Sequence, residues 1–135
     1  MKILLHSNRT VEEIKEEFGA IYPFLRIAFF ARKEDAASGE EVHSSTALIE
    51  VSGILKEGDI EIKSTDTIKE VELKFEKQYG LPVRIFRKQK GMWLGTNITD
   101  DLTLHEQNTW GREASKPLKF RNDDRIDWNR FSLGK

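Results

Sequence analysis

The sequence predicts an α+β domain built from two strand–helix–strand (βαβ) pseudo-repeats that share one mixed sheet, with the helices on one face. Three observations predict it. Residues 64 to 85, STDTIKEVELKFEKQYGLPVRI, echo residues 7 to 27, SNRTVEEIKEEFGAIYPFLRI. Short stretches with strand character stand before and after each echo. Within each echo, apolar residues recur at helical spacing.

The elements follow in chain order. A shift of 57 residues lays Lys2 to Phe18 on Asp59 to Phe75 without a gap, so Ile3 meets Ile60, Thr10 meets Thr67 and Phe18 meets Phe75. KILLHS and DIEIKS read as strands, because Ile60 and Ile62 alternate with Asp59, Glu61 and Lys63. Next come hydroxyls and an acid where a helix should start. Arg9 or Thr10, and Asp66, occupy the expected N-cap positions. Glu12, Glu13 and Glu70 then suit the positive end of the helix dipole. Val11, Ile14 and Phe18, like Ile68, Val71 and Phe75, form one stripe. Pro23 in one unit, and Gly80 with Pro82 in the other, stop the helices.

A second strand follows in each unit, FLRIAFFARK and VRIFRKQKG, with Arg26 on Arg84 and Ile27 on Ile85 at a shift of 58. A weaker echo closes the units: STALIEV (45–51) matches DLTLHEQ (101–107) as a short helix or turn. Between these parts the second unit inserts another strand, MWLGT, after a turn at Gly91. The first unit has KEDAASGEEVHSS instead, a polar small-residue loop expected to be mobile. The units span about 2–55 and 59–108 of a domain covering 1–108. Two βαβ units on one sheet suggest a ferredoxin-like arrangement.

The alternative is a β-grasp. Residues 66–108 resemble the central part of ubiquitin-like domains through Thr67, Ile68, Val71, Gly80, Pro82, Thr103 and Leu104. That resemblance implies the order helix, Gly-Leu-Pro turn, strand, strand, turn. The chain ends SLGK rather than in a diglycine, so conjugation is not implied. Residues 1–113 are also similar to a family of short bacterial proteins of unknown function. The likeness rests on Val83 to Lys88, Trp93, Leu94, Thr99 to Asp101, Thr103, Leu104, Gln107 and Asn108. It implies a shape and no activity.

Composition excludes several classes of function. The 135 residues include no cysteine, which removes disulfides, thiolate nucleophiles and cysteine metal sites and fits a reducing, cytoplasmic setting. A net charge of −1 gives no global pull toward nucleic acid or anionic lipid. The apolar run in MKILLH is too short for a signal peptide, and no membrane span is expected. His6, His43 and His105 are not at metal-ligand spacing. Asp100 and Asp101 read as helix capping ahead of Thr103 and Glu106. Glu12, Glu13, Glu16 and Glu17 read as a solvated face. There is no nucleophile elbow and no phosphate loop. A non-enzymatic chain without metal or cofactor is therefore expected.

One cluster invites a binding role. Arg84, Phe86 and Lys88 alternate with Val83, Ile85 and Arg87, so they share the outward face of their strand. Arg26 joins them by the repeat, and Trp93 could lie beside them. After Asn108 the composition shifts: residues 109–135 hold seven Lys or Arg against four acids, with Trp110, Phe120, Ile126, Trp128 and Phe131. This tail is expected to be partly disordered, packed back on the sheet or engaged with a partner. Arg26, Arg84, Phe86, Lys88, Trp93, Trp110 and Trp128 are thus the candidate binding residues. The expected function is a protein-binding or adaptor domain. The alternative is single-stranded nucleic acid, read by rings and cations on an open sheet.

Overall fold

The computed structural model describes residues 1–31, 40–53 and 56–116. They form an α+β fold in the order β1 (Lys2–Leu5), α1 (Val11–Ile21), β2 (Leu25–Phe29), α2 (Leu48–Ser52), β3 (Gly58–Glu61), α3 (Ile68–Tyr79), β4 (Val83–Gln89), β5 (Met92–Gly95) and α4 (Leu104–Ala114). Among the described residues, no helix is long and apolar enough to cross a membrane. Trp128 and most of the tail lie outside the described residues, as does 33–39 of the expected polar loop.

The helices begin where a hydroxyl can accept an orphan backbone N–H. Thr10 caps α1 by accepting from the Glu13 amide. Thr67 and Thr103 each complete a reciprocal capping box, with Glu70 and Glu106 respectively. The cap of α3 is therefore Thr67 and not Asp66. The Asp66 carboxylate instead accepts from the Lys63 amide at 2.9 Å and from Lys74 Nζ at 2.7 Å. Gly80 ends α3 at φ 64°, a left-handed position suited to glycine. Lys90 and Gly91, at φ 51° and 81°, make the two-residue turn between β4 and β5. Helix α4 runs past Asn108 to Ala114, because its stripe of Leu104, Gln107 and Gly111 keeps finding contacts.

The strands pair differently from the expected single mixed sheet. β1 pairs antiparallel with β3, and a separate antiparallel sheet has the order β2-β4-β5. Each strand of one unit pairs with its counterpart in the other. Ile3 lies opposite Ile60, and Ile27 opposite Ile85. Alternation along a strand marks which face is buried but not which neighbour is chosen, so this order could not be read from it.

The closing segments obey the same correspondence. Val11, Glu12, Leu48 and Ile49 donate to Thr46, Ser44, Arg9 and Ser7. In the other unit Ile68, Lys69, Leu104 and His105 donate to Leu102, Asp100, Asp66 and Ser64. Isolated bridges Thr10–Ala47 and Thr67–Thr103 lie at the centre of each set.

One core joins both sheets. Ile3, Leu5, Ile60 and Ile62 meet Val11, Ile14, Phe18, Ile68, Val71 and Phe75, and also Leu25, Ile27, Phe29, Val83 and Ile85. Phe18 and Phe75 are both 0% exposed. Phe75 meets Phe29 edge-on at 5.9 Å, while Phe18 tilts against Tyr22 at 5.2 Å.

Candidate functional site

The face of the β2–β4–β5 sheet turned away from the core gathers most of the sequence-predicted residues. Register explains how. Arg26 lies opposite Phe86, Phe86 opposite Gly95, and Lys88 opposite Trp93, so their side chains share one face. Arg26 Cζ lies 5.9 Å from the Phe86 ring centroid, Arg84 Cζ 5.8 Å from that of Phe30, and Lys88 Nζ 6.0 Å from that of Trp93. Each contact is within cation–π range. Phe30 was not singled out from the sequence, although it continues the alternation of Arg26 and Ala28.

One of these cations is neutralised. Glu41 accepts from Arg26 Nη2 at 2.7 Å and from Lys15 Nζ at 2.6 Å. Partial burial alone would push the Glu41 carboxyl up, but the hydrogen bonds and charges of Lys15 and Arg26 outweigh it and hold the carboxyl below its usual range. Among the described residues Arg84 and Lys88 form no salt bridge, although the Arg84 charge acts on the Glu72 carboxylate. The described part of the face therefore places positive charge next to aromatic rings.

Trp110 stands apart from this cluster. It lies on α4, half exposed, over Arg87 on the opposite side of the sheet, with its ring centroid 5.4 Å from the guanidinium. Arg87 belongs to a buried polar network that the sequence reading missed. Gln107 is 0% exposed. Its Oε1 accepts from Arg87 Nη1, and its Nε2 donates to Thr99 at the backbone O and at Oγ1, all at 2.8 Å. The signal was available: Gln107 sits between Leu104 and Gly111 on the buried stripe of α4. Gly111 permits close contact there, since a Cβ would fall 2.8 Å from Phe24 Cβ and 3.0 Å from its carbonyl oxygen.

β4 outruns β5, and two side chains finish its edge. The Ile85 amide donates to the Glu72 carboxylate at 3.0 Å, and the Ile85 carbonyl accepts from Thr96 Oγ1 at 2.7 Å. Burial pushes the Glu72 carboxyl up, the Ile85 amide pulls it back, Asp100 adds a push and Arg84 a pull; the net shift is above its ordinary 4.5. In the pH interval above 4.5, the folded chain therefore binds more protons than the unfolded one, and Glu72 lowers stability as pH rises through its folded pKa. Glu41 and Asp66, both held low, act in the opposite sense: their contribution is lost as pH falls. Glu72→Gln keeps an acceptor for Ile85. Its stability relative to wild type should rise between acid and neutral pH, in urea titrations at several pH values. Parallel wild-type and variant profiles would show that Glu72 does not carry the effect.

The rest offers little for chemistry. No group of acids and histidines among the described residues could hold a metal ion. His43 borders a cavity of about 350 Å³ with Thr46 and Glu50, but its Nδ1 already meets Ser45 Oγ at 2.8 Å.

β5 is exposed along its length, with Met92 65%, Trp93 39% and Leu94 38% accessible. Ile98, just beyond it, is 89% exposed. No protein-family model, curated protein or solved structure matches the chain.

Proposed function

We propose that this is a non-enzymatic protein-binding or adaptor domain whose working surface is the outer face of the β2–β4–β5 sheet. The observation that carries the reading is the clustering of Arg26, Arg84 and Lys88 over Phe86, Phe30 and Trp93, beside an exposed edge strand. Arginine and aromatic side chains supply much of the energy where proteins meet. Single-stranded nucleic acid is the weaker reading. Cations already sit over the Phe86 and Trp93 rings on which bases would stack, and net charge is −1.

The reading is tested by reversing charge. Capture of partners from a lysate by the double variant Arg84→Glu, Lys88→Glu should fall about tenfold or more, as expected for lost interface charge pairs. Glu12→Lys, an exposed residue of α1 outside the proposed face, should leave capture unchanged. Equal capture by all three proteins, or binding to mixed oligonucleotides that weakens steeply with salt, refutes it.

The architecture is read in the same spirit. The matching strand pairs and closing bonds support a duplicated βαβ unit with a shared interior. The order α3, Gly80-Leu81-Pro82 turn, β4, β5 and the Thr103–Leu104 turn supports a ubiquitin-like local arrangement over 66–108. The absence of cysteine supports a reducing compartment such as the cytoplasm.

A further inference from the structure

We propose that β5 is a docking edge, which takes up an extended acidic peptide of another protein as a fourth strand beside it. The inference rests on the protein-binding reading above and specifies how the partner is held.

The backbone argument comes first. The two-residue turn makes Gln89 and Met92 a hydrogen-bonded pair, and pairs alternate along an antiparallel ladder. Trp93 and Gly95 therefore turn their N–H and C=O groups away from β4. The Lys88 amide confirms the phase, since it donates to Phe24 on the opposite side at 3.0 Å. No backbone partner stands opposite Trp93 or Gly95 among the described residues.

Edge strands are commonly blunted by charge or proline. The other sheet follows that rule, with Lys2 on β1 and Asp59 and Glu61 on β3. β5 reads Met-Trp-Leu-Gly and has neither device.

The side chains specify the occupant. Residues opposite Trp93 and Gly95 would project onto the outer face, where Lys88 lies over the Trp93 ring and can meet acids. Gly95 leaves room over β5: a Cβ there would lie 3.4 Å from Asn97 Oδ1 and 4.0 Å from Phe86 Cε2. A ring on the incoming strand can cover that glycine. Residues opposite Met92 and Leu94 would project onto the other face, beside those two exposed apolar side chains. The partner strand is thus acidic on one face and apolar on the other.

The experiment uses the full chain and a short synthetic peptide alternating Glu with Val and Phe. Its affinity is compared with that of a peptide carrying Lys for every Glu. Two further versions are N-methylated, one on each alternate set of residues. Only one set faces β5, so one methylated peptide should lose about tenfold or more while the other binds normally, as loss of backbone hydrogen bonds demands. The Trp93 and Gly95 amides should become protected from hydrogen exchange on binding, and the Lys peptide should bind more weakly. Equal binding of both methylated peptides overturns strand addition while leaving a side-chain-only interface standing. Protection of those two amides without peptide also overturns it. If that protection rises with protein concentration, a second copy fills the edge; if it does not, another part of the same chain does.

Discussion

Phe75→Ala and Phe18→Ala, made separately, should each lower the unfolding free energy by about 3–5 kcal/mol, the range for removing a buried ring. Both rings are completely buried in one interior, so neither site can relax into solvent. Phe75→Ala also removes the edge-on contact with Phe29. The decisive part of the result is its form. Tryptophan fluorescence and far-ultraviolet circular dichroism should report one coincident urea transition for wild type and both variants. Two separated transitions would mean that the units unfold independently and that the common core has been misjudged.

Gln107→Leu should cost about 2–4 kcal/mol, although leucine fits a buried helical position better by hydropathy. The substitution strips the Arg87 guanidinium of its carbonyl acceptor and leaves the Thr99 carbonyl and hydroxyl without a donor. Arg87 Nε is already buried without a partner, so the guanidinium has little left to fall back on. Gln107→Glu should recover part of the loss, because a carboxylate still accepts from Arg87 but cannot donate to Thr99. Urea midpoints for the two variants check this. A Gln107→Leu chain as stable as wild type would show that water replaces all three bonds.

Several features of the fold and of the candidate site were legible in the sequence, for local reasons. The stripes Val11–Ile14–Phe18 and Ile68–Val71–Phe75 are local patterns, and both became buried helix faces. The alternation of Arg84, Phe86 and Lys88 placed all three on one face, and Arg26 and Trp93 joined them through strand register. What could not be read depends on distant partners. The pairing of β1 with β3 and of β2 with β4 joins residues some 57 apart, and a period of two carries no information about that choice. Glu72 and Gln107 were overlooked because polar residues on charged helices normally face water. Only the backbone of β4 draws Glu72 in to a half-buried position, and only the guanidinium of Arg87 and the Thr99 acceptors give buried Gln107 its partners. The change in composition after Asn108 suggests a tail at Trp110, yet α4 continues through it to Ala114.

The finished edge of β4 also limits how the hairpin can misfold. Sliding β5 along β4 by two residues returns every side chain to its original side, so hydrophobic patterning does not penalise such slippage. The Thr96 bond at Ile85 does. A slipped hairpin would pull the Thr96 hydroxyl off the Ile85 carbonyl. Thr96 thus acts as an end-stop, and with the Lys90–Gly91 turn it holds the alignment that puts Lys88 beside Trp93.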